Sequence, residues 1–372
     1  MLPAPKGQVD LLIIAGEHSG DQHAAAMVRD LLRKEPSLKI AALGGPELAA
    51  AGAQLLHDLT ATSVVGFVEV LAHARFFHTL YHDTLDWIAT FQPNTFCFID
   101  YPGFNLRIAA ELKKRRLSVK GGGSISTLFY ISPQIWAWKA GRRFKMAETL
   151  DALAVIFPFE VDCYADTSLD ASFVGHPFLA EGHASPVTYA PSGPILLLPG
   201  SRTQAVRRIA PPLFKAYQSL NDTRPALVLY PSETIRTVLE EIGLPVGVSL
   251  HRTGTPVAAS AVLTSSGTMS MHCALAGIPG SVVYKTNPFT YLMGRMLVKT
   301  PFIGIANLLL REAMYPEFIQ GAAIPSVLAD QLRDCLTNPA RQARTAEQSV
   351  RLRTLLRQPA TGTAADWLYA HL

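Results

Sequence analysis

Leu196-Leu-Leu-Pro-Gly-Ser-Arg202 decides the fold. The apolar run Ile195 to Leu198 reads as a buried strand, Pro199-Gly200 ends it abruptly, and a helical pattern starts near Val206. A strand that turns on glycine into a helix is how an α/β domain builds an anion site. The first N–H groups of the helix are free and its dipole favours negative charge. Arg202 adds a planar cation that matches phosphate oxygens. A solvated arginine on an ordinary turn is the competing reading. A second stretch of the same kind, Leu263-Thr-Ser-Ser-Gly-Thr268, tips the balance toward a ligand site.

Strands that end in turns and lead into helices recur on both sides of this point. Upstream lie Leu11 to Ile14 with the turn Gly16-Glu-His-Ser-Gly-Asp21, Ile40 to Leu43, Phe96 to Ile99 with Asp100-Tyr-Pro-Gly-Phe-Asn105, Leu128 to Ile131, and Ala152 to Ile156. Downstream lie Ala226 to Tyr230, Ala261 to Thr264 and Ser281 to Tyr284. The pattern predicts an α/β fold of two doubly wound, Rossmann-like parallel-sheet domains, with ligands beyond the carboxyl ends of the strands in a central cleft. Gly182 to Gly193, rich in Pro, Ser, Ala and Gly, reads as the linker. The expected domains are 1–185, 186–345 and a helical segment 346–372 that returns to the first domain.

Composition narrows the class. The 372 residues are 49% hydrophobic and 17% charged, with a formal charge of +4. No run of about 18 apolar residues is present, so a membrane-crossing helix is not expected. The start of the chain lacks the regions of a signal peptide. Cys97, Cys163, Cys273 and Cys335 form no CxxC, which suggests neither zinc nor a disulfide framework and fits a reducing cytoplasm. The mild positive charge suits an anionic ligand or membrane surface and does not indicate nucleic acid. A nicotinamide cofactor is disfavoured, because the first turn is not G-x-G-x-x-G.

One segment breaks the alternation. Between Val64 and Tyr81, Val65, Phe67, Val70, Leu71, Phe76, Phe77 and Tyr81 are interleaved with His73, Arg75 and His78. Two readings stand level: a helix facing the core, or a patch that dips into a bilayer and receives acyl chains.

Ten blocks occur in the order seen in the lipid-A-disaccharide synthase family: Ala15-Gly-Glu-His-Ser-Gly-Asp21, Ser63-Val-Val-Gly-Phe-Val-Glu-Val70, Ile99-Asp-Tyr-Pro-Gly-Phe-Asn105, Tyr130-Ile-Ser-Pro-Gln-Ile-Trp-Ala-Trp138, Phe157-Pro-Phe-Glu160, Val174-Gly-His-Pro177, Leu198-Pro-Gly-Ser-Arg202, Ser266-Gly-Thr268, Asn287-Pro-Phe-Thr290 and Pro316-Glu-Phe-Ile-Gln320. The chain resembles that family from about Leu11 to Gln320. The resemblance implies the GT-B fold and an inverting glycosyltransferase. It would move 2,3-diacylglucosamine from its UDP derivative to 2,3-diacylglucosamine 1-phosphate, giving the β-1′,6-linked disaccharide 1-phosphate and UDP. It also implies peripheral attachment to the cytoplasmic face of the inner membrane, and a homodimer is an open expectation.

By the resemblance, Asp100 is the general base, its competing role being a helix N-cap. Glu17, Ser19, Gly20 and Asp21 would meet the acceptor. Gly200, Ser201, Arg202, Ser266, Gly267, Thr268, His272, Asn307 and Gln320 would bind the UDP donor. Val65, Phe67, Val70, Leu71, Phe76 and Phe77 would meet membrane or acyl chains. No metal or cofactor is expected, since backbone and arginine can neutralise a diphosphate. Gly103, Ala205 and His272 stand where the family commonly has acids. Two other readings compete: a GT-B relative or epimerase using another nucleotide sugar, and a nucleotide-sugar-binding protein with little catalysis.

Overall fold

The computed structural model describes residues 2–60, 70–287, 291 and 300–372, with side chains of 70–74 left aside. Val65 and Phe67 lie outside the described residues, as do the side chains of Val70 and Leu71. The chain divides into two units. One comprises residues 1–177 and 356–372, the other residues 178–355.

The first unit is a seven-stranded sheet, parallel throughout, in the order β3-β2-β1-β4-β5-β6-β7. Its strands are β1 (Leu11–Ala15), β2 (Ile40–Gly44), β3 (Gln54–Asp58), β4 (Thr95–Ile99), β5 (Ser126–Tyr130), β6 (Ala152–Val155) and β7 (Asp170–Phe173). Every residue of β1, β2, β4 and β6 is buried, as a sheet covered on both faces demands. Helices α1 (His18–Lys34) and α2 (Pro46–Ala50) cover one face. Helices α3 (Val70–Phe91), α4 (Pro102–Lys114) and α5 (Arg142–Thr149) cover the other.

The second unit repeats the plan with six parallel strands in the order β11-β10-β9-β13-β14-β15. They are β9 (Ile195–Leu198), β10 (Ala226–Tyr230), β11 (Val248–Arg252), β13 (Ala261–Thr264), β14 (Gly280–Tyr284) and β15 (Glu317–Ile319). Helices α6 (Thr203–Leu220), α7 (Glu233–Ile242), α8 (Thr268–Leu275), α9 (Ile305–Leu310), α10 (Pro325–Thr337) and α11 (Pro339–Leu356) belong mainly here. The last helix, α12 (Ala364–Tyr369), belongs to the first unit.

The division at 177/178 falls earlier than the expected 185/186. Residues 178–185 join the second unit, where the rings of Phe178 and His183 stack on that of His272, and within the expected linker a small strand, β8 (Val187–Tyr189), pairs in parallel with β12 (Val257–Ala259). Val187 is fully buried and Thr188 exposed, a three-residue alternation too short to read against a Pro- and Ser-rich background.

Candidate active site

Each sheet has one place where the strand order reverses, and there the two flanking turns leave an opening at the carboxyl edge. In the first unit the reversal lies between β1 and β4, whose last residues Ala15 and Ile99 are paired. The turns that follow are Gly16–Glu17 and Asp100–Tyr101. In the second unit it lies between β9 and β13, with Leu198 paired to Thr264. The turns there are Gly200–Arg202 and Ser266–Thr268. The sheet topology therefore gathers most of the expected residues into two groups, one per unit.

In the first group, Asp100 and Tyr101 both adopt left-handed backbone, with φ of 44° and 50°. Two consecutive non-glycine residues in that region store strain of the kind found at functional sites. The pair is held from both sides. The Asp100 N–H donates to the Tyr130 carbonyl at 2.9 Å, and Asn105 Nδ2 donates to the Asp100 carbonyl at 2.7 Å. Tyr101, not Asp100, is the N-cap residue of α4. The Tyr101 ring lies across Gly16. A Cβ on Gly16 would sit 2.2 Å from that ring, so glycine is required by close approach.

Glu17 is the N-cap of α1, with Ser19 and Gly20 in the first turn. Asp21 departs from its expected role. It is fully buried, and its carboxylate accepts the N–H groups of Gly45 (2.8 Å), Glu47 (3.0 Å) and Leu48 (3.2 Å). Those are the free donors at the start of α2, so Asp21 caps a neighbouring helix instead of facing a ligand.

In the second group, Gly200 has φ of 118°, and a Cβ there would meet Ser265 Oγ at 3.3 Å. Arg202 is the exposed N-cap of α6, and Gly267 is the N-cap of α8. The Ser265 N–H donates to the Leu198 carbonyl at 2.8 Å and ties the two turns together. Two helix starts thus stand side by side, each presenting backbone N–H groups that have no partner within the helix.

Three expected donor-binding residues are placed otherwise. His272 is 7% exposed, its ring stacked on Phe178 at 3.8 Å and on His183 at 5.4 Å between centroids. It is covered by the half-buried Phe178 and the exposed His183. Asn307 is 1% exposed. Its Nδ2 donates to the Tyr315 carbonyl (2.7 Å) and Glu317 Oε1 (2.8 Å), and its Oδ1 accepts from the Tyr315 N–H (2.9 Å). Gln320 forms a reciprocal pair with the backbone of Thr286, at 3.0 and 3.1 Å. Asn307 and Gln320 therefore brace the loops beyond β14 and β15.

One pair carried no role in the sequence. Glu160, 1% exposed, accepts from Trp136 Nε1 at 3.1 Å and from the Phe157 N–H at 3.2 Å. Burial, with a smaller contribution from the Asp100 charge, pushes its carboxyl up to about 8 against the pull of those donors. Its motif, Phe157-Pro-Phe-Glu160, was visible; its burial was not.

Among the described residues no three His, Cys, Asp or Glu side chains converge on a metal-sized site, and no helix is long and apolar enough to cross a membrane.

A family model described as lipid-A-disaccharide synthetase matches residues 11–369. The lipid-A-disaccharide synthase of Geobacter metallireducens is 34% identical over 95% of this chain and 94% of its own. That of Syntrophus aciditrophicus is 35% identical over 95% of each. Among solved structures, the calicheamicin glycosyltransferase superposes with a TM-score of 0.55 at 14% identity, covering 98% of this chain and 99% of its own. That last likeness concerns the fold, which is GT-B.

Proposed function

Because this chain belongs to the lipid-A-disaccharide synthase family, we propose that its two units divide the substrates of that reaction, the sugar-phosphate acceptor to the first and UDP to the second. The chain is a glycosyltransferase that makes the lipid A disaccharide. It transfers 2,3-diacylglucosamine from UDP-2,3-diacylglucosamine to 2,3-diacylglucosamine 1-phosphate, forming the β-1′,6 linkage and releasing UDP.

Inversion needs one displacement. Asp100 takes the proton of the acceptor hydroxyl as that oxygen attacks the anomeric carbon. The bond from that carbon to the UDP oxygen breaks, and its electron pair leaves with UDP. The charge that develops on the diphosphate falls to the N–H groups that open α6 and α8, to Gly200, Ser201, Ser266, Gly267 and Thr268, and to Arg202. Glu17, Ser19 and Gly20 border the acceptor. His272, Asn307 and Gln320 act beneath this surface by holding its loops. Phe77 of α3 belongs to a face that meets the membrane, where diacylated substrates reside, while Phe76 beside it packs on the core.

The observation that carries the assignment of Asp100 is its strained, doubly tethered backbone at the first sheet's reversal point. Asp100→Asn is expected to lower turnover about 10²–10⁴-fold, with UDP affinity and melting temperature close to wild type. Turnover near wild type would remove Asp100 from the chemistry.

A further inference from the structure

We propose that Glu160 is a positioning residue for the transfer: it ties the loop after β5 to the turn after β6 and sets the electrostatic environment in which Asp100 takes up its proton. This rests on the reading of Asp100 as the base.

The geometry places the two carboxyl groups on one edge. Strands β4, β5 and β6 are consecutive neighbours, and Ile99, Tyr130 and Ala154 lie in register. Asp100 follows β4 directly, while Glu160 sits in the turn after β6, two strand spacings or roughly 10 Å across the sheet. Between them runs the loop after β5, which begins with Ile131 in left-handed backbone at φ 68°. That is an unfavourable conformation for a β-branched residue, and outside forces must hold it. The far end of this loop is anchored by the Trp136 indole N–H on Glu160 Oε1. The Trp136 ring meets Phe157 and Phe159 edge to face, at 6.4 and 5.4 Å.

Among the described residues, no cation bears on the Glu160 carboxyl. Its backbone partner is Phe157, whose ring lies 5.3 Å from that of His176. Tyr164, whose hydroxyl bonds Ser132 Oγ at 2.7 Å, and Cys163 both feel the Glu160 charge. Of the nearby α5 arginines, Arg143 is paired with Asp166 at 2.6 Å, and Arg142 acts on Tyr164. Asp162 acts on Cys163 from the same turn. Asp100 is the charge that bears on Glu160.

At neutral pH Glu160 therefore keeps its proton. As Glu160 releases that proton to solvent at higher pH, a buried negative charge appears near the base. In the transition state Asp100 is losing negative charge as it receives the acceptor's proton. An added negative charge favours that change, so turnover should rise.

The test is the pH profile of kcat and of acceptor KM between pH 6 and 9.5, for wild type, Glu160→Gln and Trp136→Phe. Wild type should show kcat rising roughly two- to fivefold through a step near pH 8, with acceptor KM changing less than kcat. Glu160→Gln, neutral at every pH, should lose the step. Trp136→Phe keeps the carboxyl but removes one donor to it, so the step should persist and move to higher pH. A role in folding alone would lower activity without moving the step. Overlaid profiles for wild type and Glu160→Gln, or a wild-type kcat that falls through that range, would overturn the proposal. Asp100→Asn separates the two readings. If it is inactive, those overlaid profiles count against Glu160 alone; if it is active, the base assignment falls and the Glu160 role falls with it.

Discussion

Arg202 shows what a single residue can and cannot disclose from sequence. Its place after a glycine turn at the end of a buried strand predicts an anion contact, and the structure puts it at the N-cap of α6, exposed, beside the turn that opens α8. Arg202→Ala should weaken UDP about tenfold, the loss of one charge-assisted hydrogen bond of ~1.5 kcal/mol, with little change in acceptor KM. Calorimetric titration of UDP checks this; unchanged affinity with a lowered melting temperature would make the arginine structural. Asp21, His272 and Asn307 were less legible for a common physical reason. Each is a polar side chain at a position where the resemblance suggests a ligand contact, and position alone does not separate a group that faces ligand from one engaged within the protein. Asp21 is consumed by three N–H groups of α2 that lie more than twenty residues downstream. Only tertiary structure brings such partners together, as it does for Glu160 and Trp136.

At the scale of elements, the strands that could be read were those buried on both faces, such as β1, β4, β9 and β13, because they are continuous apolar runs. The edge strands β3 and β11 went unread. They are half exposed and carry polar residues, Gln54, His57 and Asp58 in one and Ser249, His251 and Arg252 in the other. Helix α6 also runs through Pro211 and Pro212, where tertiary packing of its buried face overrides local propensity. Helix α3 resolves part of the level choice between core and membrane, because Phe76 and Phe77 differ. Phe76 packs against the core of the first unit, its ring 5.7 Å from that of His57, whereas Phe77 touches Phe76 edge to face at 5.5 Å without joining that core. Phe76→Ser should therefore cost stability, about 1–3 kcal/mol, below the range for a fully buried Phe. Phe77→Ser should leave the melting temperature nearly unchanged and weaken sedimentation with anionic liposomes. If Phe77→Ser instead lowers stability and spares liposome binding, the whole of this helix face belongs to the core.

At the scale of the whole molecule, the chain leaves the first unit after residue 177 and comes back to it at residue 356. The returning segment completes that unit's core. Ala365, Trp367 and Leu368 of α12 are buried in the cluster that α1 shares with β1 and β4, and the Thr361 N–H donates to the Phe173 carbonyl at the end of β7. Lys34 of α1 holds Asp366 at 2.7 Å, and Asp366 also closes a capping box with Thr363. The Lys34 hydrogen bond, followed by those from Thr363, lowers the Asp366 carboxyl to about 2. Its native value lies below the unfolded one of about 3.9, so this tie contributes above pH 4 and is lost as pH falls through about 2. Both side chains are more than 40% exposed, so the apolar contacts carry most of the attachment. Leu368→Ala should therefore destabilise the first unit by about 2–5 kcal/mol, whereas Asp366→Asn should cost little at neutral pH and flatten the stability curve between pH 4 and 2. The turns proposed to bind UDP lie in the other unit, so Leu368→Ala should retain UDP affinity at temperatures where transfer has already failed. Thermal melts read alongside UDP titration distinguish this from the alternative: parallel loss of both properties would mean that the two units unfold as one.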